Sequence, residues 1–192
     1  PDTILQFTSD HSTDGLGAPP YGEVDLWQEG GDVIVKVWLY GVAQGQPLDS
    51  KFIRTGSGDS YDLKFNGFDK GIVAADITVE TGLTLDGPGA YDGDGTGNFD
   101  YGIFFTGQKT GGGAGLTTPI EFMVTGAVIT DLTTDKNALG YTFVADILSG
   151  KTGKTGPADA TVPVTVPEPG ILILLGLSMT AVGVAARFVR KI

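Results

Sequence analysis

The end of the chain limits what it can fold into more than any other stretch. From Gly170 to Ala186 the sequence runs 17 residues without a charge. Pro167, Glu168 and Pro169 stand just before this run, and Arg187, Arg190 and Lys191 follow it. As a helix the run measures about 25 Å at ~1.5 Å per residue. Phe188 and Val189 lengthen it toward the ~30 Å hydrocarbon core when Arg187 snorkels. A helix buried in a globular core normally keeps a polar stripe, and this one has none. We expect a single transmembrane helix over 170–192. Cations flank it only on its C-terminal side, and basic flanks stay cytoplasmic. Residues 1–169 are therefore expected outside, periplasmic or on the cell surface, with the C-terminus in the cytoplasm.

Charge is divided in the same sense. All 23 acidic residues precede Gly170, with nine of the 12 basic ones, so the outer part carries −14 formal charges. Such a surface repels nucleic acid and anionic headgroups, which removes nucleic acid from the partners. The chain has no cysteine. In an oxidising compartment that excludes disulfides, thiolate-ligated zinc and a thiol nucleophile together. The fold must then rest on its hydrophobic core, and about 150 residues suffice for one. Export without a leader in front of Pro1 makes Pro1 the expected mature end after signal-peptide removal.

Before the tail the pattern is β. Tyr21–Gln28 and Val33–Tyr40 flank Glu29-Gly30-Gly31-Asp32, which predicts a hairpin. In its second strand Val33, Val35, Val37 and Leu39 form the better core face, with Ile34, Lys36, Trp38 and Tyr40 opposite. Further strands are predicted at 60–65, 72–79, 83–85, 99–106, 120–125 and 141–148, separated by Gly/Asp/Asn/Ser clusters. No helical pattern lies between them, so the expected class is all-β: a β-sandwich or jelly-roll-like domain over 1–149 plus one C-terminal transmembrane α-helix. Residues 150–169, GKTGKTGPADATVPVTVPEP, are rich in Gly, Thr and Pro and predict a partly extended linker.

Proline, an acid and proline, then an apolar helix, then a short basic end at the C-terminus resembles the PEP-CTERM sorting signal of Gram-negative bacteria. The resemblance rests on Pro167, Glu168, Pro169, Arg187, Arg190 and Lys191; the basic end is sparser than the dense arginine cluster common in that family. It implies recognition by exosortase, a membrane protease acting near the Pro-Glu-Pro, and association with exopolysaccharide and the envelope. The segments 97–105, 111–126 and 141–153 also resemble stretches common in the exported domains of such proteins, which carry no established activity.

Several side-chain groups are candidates for chemistry. Asp92, Asp94, Thr96, Asn98 and Asp100 alternate through DGDGTGNFD with Gly97 sixth, as in the first nine positions of an EF-hand-like calcium loop. Position 12 is Ile103 where a bidentate Glu belongs, so calcium is a candidate and a bare turn the expectation. GKTGKTG (150–156) lacks the leading glycine of a phosphate loop, which argues against a nucleotide. His11 is the only histidine and sits in a polar run with Ser9, Asp10, Ser12 and Asp14, where a solvated loop is expected. No carboxylate pair stands out for glycoside hydrolysis. Trp27, Trp38 and Tyr40 are candidates for sugar stacking, with ordinary packing as the bland alternative. In the tail Gly176, Thr180, Ala181, Gly183 and Ala185 provide the small residues that let another membrane helix approach.

No nucleophile or acid/base set emerges, so we expect a non-catalytic, membrane-anchored structural protein of the envelope or exopolysaccharide. Its partners would be the lipid bilayer and, when the tail is processed, exosortase. The alternative is an accessory single-span subunit of a larger membrane complex, photosynthetic or respiratory, with the β-domain packed on its external face.

Overall fold

The structure is a computed structural model and describes residues 1–13, 15–55, 60–111, 113–161 and, for the backbone, 163–164. The strands are β1 (Thr3–Phe7), β2 (Ser9–Asp10), β3 (Gly22–Glu29), β4 (Asp32–Leu39), β5 (Lys51–Phe52), β6 (Leu63–Phe65), β7 (Ile77–Val79) and β8 (Leu83–Asp86). They continue with β9 (Tyr91–Asp92), β10 (Asn98–Phe99), β11 (Tyr101–Phe105), β12 (Ile120–Thr125), β13 (Phe143–Leu148), β14 (Thr155–Ala160) and β15 (Pro163–Val164). One short helix, α1 (Ile129–Thr134), lies between β12 and β13 and buries Leu132.

Two antiparallel sheets carry the fold. The first, sheet A, has the order β15-β1-β3-β4-β12-β7; the second, sheet B, runs β2-β14-β13-β6-β11-β8, with β5 also paired to β13. They share one core. Leu5, Val24, Leu26, Val33, Val35, Val37, Phe122 and Val124 face inward from sheet A, and Leu63, Phe65, Ile103, Phe143, Ala145 and Ile147 from sheet B. Phe65 bridges the layers: its ring stacks on Phe122 of sheet A at 4.9 Å and on Tyr101 and Phe143 of its own sheet at 5.2 and 5.9 Å. Period-2 alternation selects these residues, and shifting either sheet by one residue would expose them. The predicted hairpin forms in register from Gly22 opposite Leu39 to Glu29 opposite Asp32, with its valines at 0% exposure.

Two stretches depart from expectation. The domain does not end at Ser149. Residues 155–160 of the expected linker form β14, paired to β13 on one side and to β2 on the other. Small residues there serve close packing: Ala158 and Ala160 are fully buried, and a Cβ on Gly156 would lie 2.2 Å from Ser12. The polar run around His11, expected as a solvated loop, begins with β2, and Thr3–Phe7 before it form β1. Among the described residues no helix is long and apolar enough to cross a membrane. The span expected over 170–192 and the end of the expected linker, 165–169, lie outside the described residues.

Candidate functional site

One side of the sandwich is closed by a strand pair that passes from sheet to sheet. Asp10 faces Ala158 and Ser9 faces Asp159 in sheet B; Leu5 faces Pro163 and Ile4 faces Val164 in sheet A, all in a single antiparallel register. β15, the last described strand, therefore lies beside the N-terminal strand β1. Pro163 suits this place, since β15 is an edge strand and proline has no ladder donor to offer.

His11 reinforces the closure. Its Nε2 lies 2.7 Å from Asp159 Oδ1, and its ring meets Tyr141 edge-on at 5.1 Å. Thr161 donates to the other oxygen of Asp159. Asp10 accepts from the backbone N–H groups of Ser12 and Leu16. Burial alone would raise the Asp10 pKa, but these bonds and nearby His11 together hold it below its ordinary value. The expected solvated loop histidine is thus a clamp whose partner lies 148 residues away. The sequence around His11 contains no sign of that partner.

The acidic segment folds as a ribbon. Asp92 pairs with Asn98 and Tyr91 with Phe99. Asp92 Oδ1 accepts from the Asp94 N–H, and the buried Thr96 hydroxyl donates to Gly93 O at 2.6 Å. Asp100 points elsewhere, accepting from the N–H groups of Gly67 and Phe68. Antiparallel pairing of the first ligand position with the seventh turns the chain back instead of wrapping it around a centre. Of the five candidate calcium ligands, Asp92 and Thr96 are thus engaged within the ribbon and Asp100 outside it. Among the described residues no group of three or more His, Cys, Asp or Glu is placed to hold a metal.

The ribbon instead covers the outer face of sheet B. Tyr91 meets Tyr61 at 4.8 Å, and Tyr61 lies flush on Gly102, where a Cβ would come within 2.4 Å of its ring. Beneath this cover Asp62, Lys64 and Asp146 are 0, 1 and 2% exposed. Asp62 Oδ2 accepts from the Phe105 N–H, and Asp146 Oδ2 from the Thr55 hydroxyl. Burial pushes both carboxyls up to about 6, with Arg54 opposing this at Asp62 and Lys64 at Asp146. Together the three form a buried charge network.

The first five residues of GKTGKTG form the turn between β13 and β14, and its last two begin β14. The N–H groups of Lys151 and Thr152 donate to Ser149 Oγ, and that of Gly153 to Ser149 O. These donors are already engaged within the turn, which leaves no phosphate cradle.

Among the described residues, the outer face of sheet A is the one left without a covering layer. Glu23 stands opposite Trp38, Asp25 opposite Lys36 and Trp27 opposite Ile34 across β3 and β4. Trp38 Nε1 donates to Asp25 Oδ2 at 3.1 Å and meets Tyr40 edge-on at 5.6 Å. Tyr40 accepts from Gln6 and donates to Glu23; burial and then Glu23 drive its pKa upward. Lys36 pairs with Glu121 at 2.6 Å on the next strand.

The sorting residues Pro167, Glu168, Pro169, Arg187, Arg190 and Lys191 and the small helix residues Gly176 to Ala185 lie outside the described residues. Comparison with known families finds the PEP-CTERM protein-sorting motif at residues 165–191. No curated protein and no solved structure matches the chain. Such motifs are recognised by exosortase, and they are not an enzyme family. Beginning one residue beyond the last paired strand, this chain carries a PEP-CTERM protein-sorting motif, the mark of an exported protein sorted to the cell envelope.

Proposed function

We propose that this protein is a non-catalytic structural component of the envelope or exopolysaccharide, a β-sandwich held at the outer side of the inner membrane by its C-terminal segment until exosortase acts on it. The observation that carries this reading is the junction: the motif starts at residue 165, directly after Val164 pairs with Ile4. The signal follows the folded body directly in sequence, so a protease acting near Pro167–Pro169 would release the sandwich whole. The acidic exterior keeps such a body soluble and clear of anionic headgroups.

Intact-mass measurement on protein from native membranes and from the cell surface tests this. A surface form that ends near residue 169, absent when exosortase is deleted, is expected. A chain that keeps residues 170–192 and extracts in mild detergent with stoichiometric partners would overturn the reading in favour of a membrane-complex subunit.

A further inference from the structure

We propose that the outer face of sheet A binds a neutral polysaccharide segment, with Trp27 and Trp38 as stacking surfaces and Gln6, Glu23 and Asp25 as polar contacts. This deepens the function proposed above and rests on its placing the sandwich outside the cytoplasm.

The core does not need these aromatics. Val24, Leu26, Val33, Val35 and Val37 fill the inner face of β3 and β4 completely, at 0% exposure. Trp27, Trp38 and Tyr40 point the other way and remain partly exposed. Large rings held on the solvent side of the two longest strands offer flat apolar surface with polar handles at the edge. The C–H face of a sugar ring matches such a surface, and its hydroxyls need acceptors beside it. Glu23 and Asp25 provide them. Asp25 is 7% exposed, and its Oδ1 has no hydrogen-bond partner although Oδ2 is bound by Trp38. A buried oxygen left unpaired is costly, and a hydroxyl donor would satisfy it once the neighbouring Trp38 ring shifts to admit one.

Charge selects the class of polymer. Glu23, Asp25 and Glu121 share the face with Lys36, whose ammonium is engaged by Glu121. The face is net negative on a body that is already strongly acidic, so uronic-acid polymers and anionic lipids are repelled. A neutral glycan is not. Room is available as well: next to Ile34 a shallow groove of about 290 Å³ continues the face, lined by Thr78, Glu121 and Met123. From β1 to β7 the face crosses five strands, about 19 Å at a spacing of ~4.8 Å.

The chain has two tryptophans, and both lie on this face, so its intrinsic fluorescence reports the site directly. Full-length protein in detergent would be titrated with hydroxyethyl cellulose, galactomannan and dextran, and with alginate as the acidic probe. At least one neutral polymer is expected to shift the emission saturably, with alginate at least tenfold weaker. Trp38→Ala is expected to weaken binding about tenfold or more, and Gln6→Ala a few-fold at unchanged melting temperature. Trp27→Phe keeps a ring and should bind within a few-fold of wild type, whereas Trp27→Ala should not. No shift with any neutral polymer overturns the proposal, as does equal binding of alginate. It is equally overturned by wild-type binding in folded Trp27→Ala and Gln6→Ala. An emission shift on raising protein concentration without glycan would assign the face to a second copy and overturn it too. Binding is read on purified chain, so its failure leaves the export reading standing. Mislocalised protein that still binds would fail only the latter.

Discussion

The two outer faces of the sandwich begin from the same alternating pattern and end differently. On sheet A, Lys36 and Glu121 pair with their side chains 37 and 38% exposed. On sheet B, Lys64 occupies the equivalent outward position of β6 and is 1% exposed, close to Asp62 and Asp146. Strand periodicity puts all of them on the outside of their sheet. What separates them is the material laid on top: the β9–β10 ribbon and the segment around Arg54 and Tyr61 close over sheet B, and among the described residues nothing comparable is laid over sheet A. Arg54 marks the edge of that cover, its guanidinium 4.1 Å above the Phe104 ring. Outward on a strand is therefore not the same as solvated, and a polar residue's energetic weight is set by the third layer.

Lys64→Ala should break the comparison most severely. It removes the cation that opposes the burial of Asp146, and leaving a buried charge uncompensated costs about 3–5 kcal/mol. For a chain of this size the melting temperature should drop by roughly 10 °C or more. An unchanged melting temperature would mean that the network is solvated. Next comes the cover itself. Gly102→Val thrusts a side chain into the Tyr61 ring, and overpacking of this kind costs about 1–3 kcal/mol. Hydrogen exchange at Asp62–Leu63 should accelerate as the ring lifts; exchange at wild-type rate would deny Tyr61 its sealing role.

Acidity gives the third test. Asp62 and Asp146 have folded pKa values of about 6, against ~3.9 for an unperturbed aspartate. The folded protein therefore binds protons first as pH falls. The cost of burying the charged carboxylates is fully present above about pH 6 and is relieved as pH drops toward 4. Thermal stability should rise by several degrees between pH 7 and 5, and Asp62→Asn should flatten much of that rise. A melting temperature that only falls on acidification would contradict the burial of both groups. Asp10 works in the opposite sense, since its lowered pKa means its contribution is lost only at more acidic pH.

Sheet A should answer weakly to the same kind of change. Lys36→Ala removes an exposed ion pair worth about 0–1 kcal/mol, so its melting temperature should move by a few degrees at most. A loss as large as that of Lys64→Ala would show that face to be covered in solution. The smallest effect is expected at the ribbon: millimolar calcium or a chelator should leave the melting temperature unchanged, as should Asp92→Asn with Asp94→Asn. Stabilisation by calcium that this double variant abolishes would restore the loop as a cation site.

Local chemistry settled a good deal by itself. The β3–β4 hairpin and its valine core face follow from alternation around a glycine turn, and the strand over 120–125 is bounded as predicted. The sorting signal is legible because its parts are consecutive and the membrane reads order, apolar length and terminal charge. β14 was hidden for the opposite reason. Gly156, Ala158 and Ala160 resemble a linker until β2 and β13 are known to press on both sides, and only then does small size become the requirement.

The same limit applies to single residues. Asp92 to Asp100 alternate like ligands, yet strand pairing sends Thr96 into its own turn and Asp100 to a neighbouring one. His11 looks idle until the crossing strand pair delivers Asp159. Lys64 and Lys36 are the same amino acid on the same pattern, and only the position of a ribbon some thirty residues downstream of Lys64 makes one structural and the other incidental. Sequence determines what a residue offers and where along an element it points. Desolvation comes from atoms distant in the chain, so the tertiary structure alone decides what each charge is worth.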